Sequence, residues 1–294
     1  MNEARLRLFE ASLGRIAQSP QAAARITEPR TSSNRELLLF HTERYVELVK
    51  RESKTGDGYL DFPDTPAFPG VFEASLYPVG STLHGMEAVL SGAYDHFFNP
   101  VGGLHHAARD RASGFCVFND AAIAIASALE RGFRRVAYVD IDAHHGDGVF
   151  YGFESDPRVI AADIHEDGRT LFPGSGREDE TGSGEGAGSK LNLPLRAGSG
   201  DAQFLEAFER AYRFVERSRP DFILLQCGAD GLAGDPLTHL RYSRTVHAVA
   251  SKRLHELAHQ VCGGRIVAMG GGGYSAENVN AAWLAVIEGL KGNE

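Results

Sequence analysis

The stretch Val136-Ala-Tyr-Val-Asp-Ile-Asp-Ala-His-His-Gly-Asp-Gly148 begins as an apolar run and ends in a cluster of carboxylates and imidazoles. Its opening residues lack strict polar alternation, the pattern of a strand covered on both faces. Runs at 159–164, 222–227 and 265–269 read the same way. Around them lie segments with helical spacing, at 6–16, 36–51, 120–131, 201–217, 242–261 and 276–290. Strands alternating with helices predict right-handed crossovers and an α/β fold, its mostly parallel central sheet flanked by helices on both faces. No internal repeat or linker divides the chain, so a single domain over 1–294 is expected. The glycine-rich segment 174–188 runs into Lys190-Leu-Asn-Leu-Pro194 rather than a helix, which argues for a surface loop and against a phosphate cradle.

The second half of the opening stretch carries the chemistry. In an extended chain, residues two apart face the same side, so Asp142 and His144 can converge on one ion as the strand bends into its loop. A helix cap flanked by incidental histidines would produce a similar string. Other segments tip the balance. Gly228-Ala-Asp-Gly-Leu-Ala-Gly-Asp-Pro236 follows a strand and supplies Asp230 and Asp235. Gly270-Gly-Gly-Gly-Tyr274 follows another, and His105-His106 precedes Ser113-Gly-Phe-Cys116. In open parallel sheets, sites form beyond the carboxyl ends of the strands.

The composition removes other classes of function. Thirty Lys and Arg stand against 39 Asp and Glu, a net charge of −9, which disfavours nucleic-acid backbones and anionic membranes as partners. Three scattered cysteines suit neither a disulfide framework nor a thiolate zinc site. With no apolar run of membrane length and no signal-peptide pattern at the start, a cytoplasmic setting is expected.

In residue type and in order, the motifs Asp64-Thr-Pro66, His105-His-Ala107, Ala112-Ser-Gly-Phe-Cys116, Asp140-Ile-Asp-Ala-His-His-Gly-Asp147, Phe172-Pro-Gly174, Gly228-Ala-Asp230 with Gly234-Asp-Pro236, and Gly270 to Tyr274 resemble the histone deacetylase and acetoin-utilisation protein superfamily of metal-dependent amidohydrolases. The resemblance implies a single-domain, arginase-like fold and one catalytic divalent metal. Its ligands would be Asp142, His144 and Asp235, with His145 and Asp230 behind them. Zn²⁺ is the first choice for such an N/O site with open positions, and Fe²⁺ suits similar ligands. His106 would be the base, near Asp147, with His105 as its partner near Asp140, and Tyr274 would donate to the developing oxyanion. Phe115 and Phe172 would flank the substrate tunnel, Gly114 would offer its carbonyl to the substrate amide, and Asp64 would sit at the rim. Asp163, with carbonyls of Asp140, Asp142 and His144, matches only loosely a structural monovalent-cation (K⁺) site at which the family has Ser.

The implied substrate is an acylated lysine on a protein or peptide, with an acylated small amine as the alternative. Tyr242 falls seven residues after the third ligand, where polyamine-selective relatives carry an acid, so a neutral side chain at the entrance is expected there. Cys116 falls in the pocket wall. His41, His84, His96, His247, His255 and His259 read as surface or packed histidines rather than ligands. An arginase-like site with two metals would need an Asp at position 146, where this chain has Gly. A metal-free binding module would not need the full ligand set, both histidines and Tyr274. Family members usually open with a strand that residues 1–8, read as helix, do not supply, and Arg5 matches an Arg near the product exit.

Overall fold

The computed structural model describes residues 24–292. The helix expected over 6–16, Arg5 and the question of a missing first strand lie outside the described residues.

Chain order begins with α1 (Asn34–Leu37), α2 (Glu43–Thr55), the antiparallel pair β1 (Tyr59–Asp61) and β2 (Thr65–Pro66), and α3 (Val71–Leu90). Then come β3 (His96–Asn99), α4 (Asp120–Glu130), β4 (Val136–Asp140), α5 (Asp147–Gly152), β5 (Val159–Glu166) and β6 (Lys190–Leu195). The chain continues through α6 (Asp201–Ser218), β7 (Phe222–Gln226), α7 (Thr245–Cys262), β8 (Ile266–Met269) and α8 (Ala276–Leu290). Six strands form one parallel sheet in the order β3-β8-β7-β4-β5-β6. The chain leaves β4 toward one edge and later returns to β7 on its other side. That reversal is where a parallel sheet opens a crevice at its carboxyl end.

Alternate residues of each strand feed two cores. Ala137, Val139, Ile223, Leu225, Ile266 and Ala268 pack with α6, α7 and α8, while Val136, Tyr138, Phe222, Leu224, Val267 and Met269 pack with α2, α3 and α4. Burial on both faces explains the unbroken apolar runs seen in the sequence.

Two segments depart from the expected helices. The single helix over 36–51 is split, because Thr42 caps α2 by accepting from Tyr45 N while its own N–H donates to Arg109 O. The 20-residue α3 was masked by Pro78 and its glycines, which weaken helical patterning. Burial of Val79, Leu83, Met86 and Val89 on this helix overrides that propensity.

One register line crosses the whole sheet at its carboxyl end: Asn99, Met269, Gln226, Asp140, Asp163 and Asn192. All six are buried and five are polar. Buried polar groups in a row must be satisfied by one another or by the loops above them, and here those loops carry the candidate site.

Candidate active site

β4 delivers Asp140 at its last position, and the loop that follows brings Asp142 and His144 before α5 begins at Asp147. Asp142 is buried, and both its oxygens are engaged. Oδ1 accepts from His144 N at 2.9 Å, and Oδ2 accepts from Gln226 Nε2 at 2.9 Å and Gly272 N at 2.8 Å. His144 Nδ1 lies 3.1 Å from Asp142 Oδ1 and 3.1 Å from Asp230 Oδ2. These three residues each offer an atom within 4.8 Å of the others. Asp235 stands outside that tight group, its carboxylate accepting from Tyr274 N (2.8 Å) and Leu237 N (3.0 Å). It is the carboxylate of the set nearer to solvent, 8 % exposed against none for Asp230.

This donor set suits a divalent cation. Burial, and then the charge of Asp142, push Asp230 up to about 6, and burial raises Asp235 as well. Among the described residues no Lys or Arg bonds to Asp142, Asp230 or Asp235. Buried carboxylates without a cation are costly, and a metal ion supplies the missing charge. Close approach of the glycine loops makes the cradle. A Cβ at Gly228 would lie 1.9 Å from Asp142 Oδ2, and one at Gly272 would lie 2.0 Å from Asp230 Oδ2.

Beside this group stand the paired histidines. His105 Nδ1 donates to Asp140 Oδ2 at 2.8 Å, His106 Nδ1 donates to Asp147 Oδ1 at 2.6 Å, and the two Nε2 atoms are 3.1 Å apart. The environments of the two rings differ. Burial works against a charge on His105, but Asp140 and then Asp142 overcome it and push the ring up to about 10. Burial and the neighbouring His105 charge push His106 down to about 4, against the bond from Asp147. The carboxylates thus favour the proton on His105, and His106 is the ring that more readily keeps a lone pair on Nε2. Pairs driven apart in this way mark acid and base roles.

The remaining expected residues form the approach. Phe172 is partly exposed and lies edge-on to His106, with centroids 5.0 Å apart. Phe115 is half exposed, 6.1 Å from the Tyr274 ring, and adopts φ +65°, a conformation that a bulky side chain rarely takes. Its N–H donates to Thr65 Oγ1, whose hydroxyl donates to Asp64, so the hairpin carrying Asp64 borders the approach. Gly114 bends at φ +53° against His106, and its carbonyl accepts from the Cys116 thiol at 3.4 Å.

Three expectations need correction or refinement. Tyr242 does not stand at an entrance. It is 1 % exposed, packed edge-on against Phe204, with its N–H donating to Gly231 O. The segment after Asp235 turns inward to dock on α6 before α7 starts, and that carries the ring into the core. Cys116 is buried and its thiol is pushed up by desolvation, which disfavours the thiolate a nucleophile needs. Asp163 is engaged by His165 Nδ1 (2.6 Å) and Gly146 N (2.8 Å). A Cβ at position 146 would come within 2.7 Å of Asp140 Oδ2, leaving no room for the Asp of a two-metal arginase-like site.

Sequence reasoning missed Gln226 and Tyr138. Gln226 Nε2 reaches Asp142 and also Gly103 O, and Tyr138 Oη donates to Asp140 Oδ2 at 2.5 Å. A glutamine closing the apolar run Phe222-Ile-Leu-Leu-Gln226 was the available signal.

Comparison with known proteins agrees with this arrangement. The histone deacetylase domain family matches residues 1–290. The acetoin utilization protein AcuC of Bacillus subtilis (strain 168) is 44 % identical over 276 residues, covering 91 % of this chain and 71 % of that protein. A protein of Archaeoglobus fulgidus named "Probable deacetylase" is 37 % identical over 273 residues, covering 90 % and 74 %. Among solved structures, the HD domain of HDA15 superposes with a TM-score of 0.89 at 30 % identity, covering 98 % of this chain and 80 % of the other. An HDAC homolog complexed with SAHA superposes with a TM-score of 0.85 at 31 % identity, covering 98 % and 77 %.

Proposed function

The chain belongs to the histone deacetylase domain family, and on that premise we propose that it hydrolyses the acyl amide of lysine side chains on proteins or peptides. The carrying observation is geometric: two adjacent imidazoles, His105 on Asp140 and His106 on Asp147 with their Nε2 atoms 3.1 Å apart, stand beside the buried Asp142–His144–Asp230 group. The relative named "Probable deacetylase" and the HDAC homolog structure support the same reaction class.

Asp142, His144 and Asp235 would hold the metal, Zn²⁺ or Fe²⁺, while Asp230, whose Oδ2 lies on the same Nδ1 of His144 that faces Asp142, positions that ring. Such an ion lowers the pKa of water and polarises an amide carbonyl. The chain supplies the rest. His106 takes the proton from the attacking water, and Asp147 keeps its Nδ1 protonated so that Nε2 stays basic. His105, held as a cation by Asp140, stands beside it to deliver a proton to the leaving amine. Tyr274, anchored through its N–H on Asp235, donates its phenol to the oxygen that gains negative charge.

Lysine substrates over acetylated polyamines no longer rest on position 242. The support is the exposed apolar surface of the hairpin and rim, Tyr59, Phe62, Phe68 and Phe115, which suits the flanks of a peptide. Asp61 and Asp64 sit on the same hairpin and would attract a polyamine. Comparing kcat/KM for an acetyl-lysine peptide and acetylputrescine tests the choice, with Zn²⁺, Fe²⁺ and Co²⁺ supplied in turn. A peptide preference is expected. A clear preference for acetylputrescine would overturn the substrate class while leaving the reaction type intact.

A further inference from the structure

At the amino end of the sheet, away from the strand-end loops that build the active site, three imidazoles converge. His96 opens the edge strand β3 and pairs in register with Ile266, the first residue of β8. His255 and His259 stand one helical turn apart on α7, His259 in its last turn. His96 Nε2 lies 2.9 Å from His255 Nδ1 and 3.3 Å from His259 Nε2. All three nitrogens fall within 4.8 Å of one another.

We propose that His96, His255 and His259 form a second metal site, taking a divalent transition ion such as Zn²⁺, independent of the catalytic ion. The spacing carries the argument. A tetrahedral zinc with Zn–N bonds of about 2.0–2.1 Å places its nitrogen ligands about 3.3–3.4 Å apart. The distances seen are within a few tenths of an ångström of that edge. A single proton on His96 Nε2 can be directed well at only one of its two neighbours, whereas an ion engages all three lone pairs together.

The surroundings favour a cation. The carboxyl end of α7, with its partial negative charge, lies beside the cluster, since His259 is in its last turn. The carboxylates of Asp95 and Glu256 are close enough to act on His96 and His255. Imidazole ligands suit Zn²⁺, Ni²⁺ and Cu²⁺. His259 is exposed and the other two are half-buried, so a fourth position stays open to solvent and the ion can enter. Bound there, it would tie the edge strand β3 to α7.

The test is a Zn²⁺ titration by calorimetry into enzyme whose catalytic site is already loaded, with melting temperature and kcat/KM measured alongside. The expected result is one further ion per chain and a rise in Tm of about 3 °C or more at saturation. His255→Gln or His259→Gln should weaken that binding about 100-fold or more. His96→Gln, which removes the ligand on the strand rather than the helix, should do the same. A control at a half-buried histidine outside the trio, His84→Gln, should bind as the parent does. Unchanged kcat/KM in the three cluster variants separates this site from the catalytic one. No further ion at about 100 μM Zn²⁺ would overturn the proposal, and so would equal binding by a His255→Gln/His259→Gln double variant.

Discussion

The two ends of one sheet each gather histidines, but they equip them differently. At the carboxyl end every imidazole of the catalytic group has a carboxylate partner: His105 has Asp140, His106 has Asp147, and His144 has Asp142 and Asp230. At the amino end, among the described residues, the converging atoms of His96, His255 and His259 face one another and no carboxylate. A carboxylate behind a ring fixes its tautomer, its orientation and its charge. At the carboxyl end, Asp140 and then Asp142 favour a charge on His105, while burial and the neighbouring His105 disfavour one on His106. Among the described residues the amino-end trio has no hydrogen-bonded carboxylate to sort the protons on its converging atoms, and its shared property is three ring nitrogens in one place.

The comparison breaks most directly at the metal. Asp142→Ala removes the residue that links Gln226, Gly272 and His144, and should lower kcat/KM by roughly 10³-fold or more with little metal retained on elemental analysis. Asp235→Asn should also empty the site if Asp235 is a ligand. Asp230→Asn, acting through its contact with His144 Nδ1, should weaken metal affinity only about 10–100-fold. The reverse ranking would exchange the roles of the two residues.

His106→Ala should cost at least as much turnover as Tyr274→Phe, for which roughly 10²–10³ is the scale of one lost oxyanion donor. Both variants should melt like the parent. Retention of most activity by His106→Ala, together with its loss in His105→Ala, would reverse the division between base and acid.

His41 sharpens the contrast from a third place. It is buried, its Nε2 accepts from Asn119 N, and Asn119 Nδ2 donates to the carbonyls of His105 and Ala107. Burial pushes its pKa down to about 4. In the unfolded chain the ring takes a proton near pH 6.5, while the folded one resists until about pH 4. His41 therefore contributes stability that is present above pH 6.5 and lost as pH falls through that window, about 3 kcal/mol in all. Urea unfolding at pH 7 and pH 4.5 should show His41→Gln losing less on acidification than the parent. Equal losses would mean that the ring titrates normally.

The smallest expected effect is at Tyr242. Its hydroxyl is buried without a partner among the described residues, so Tyr242→Phe should change stability by no more than about 1 kcal/mol, in the stabilising direction, and leave kcat/KM alone. A large change in substrate preference would return this residue to the tunnel.

Much of the fold was legible because its strands are buried on both faces and its helices α4, α6 and α8 keep their period from cap to cap. The site was legible because its acids and imidazoles sit at strand ends. What escaped depended on contacts between distant segments. Pro78 hides a helix that only tertiary packing sustains, and β3 is a four-residue edge strand with no pattern of its own. The inward turn that buries Tyr242 follows from docking on Phe204, which no local signal announces. His255 and His259 show their four-residue spacing openly. Their third partner lies 159 positions from His255 and joins them only because β3 lies beside β8.

The loops at Gly228 and Gly272 shape the catalytic centre by what they omit. Neither glycine has an atom that could react, yet a single methyl at either would occupy the space of an Asp142 or Asp230 oxygen. Mutational tolerance should therefore ignore the usual line between reactive and inert residues here. In a saturation scan read out by activity, alanine at 228 or 272 should score with the loss of a ligand rather than with a conservative change.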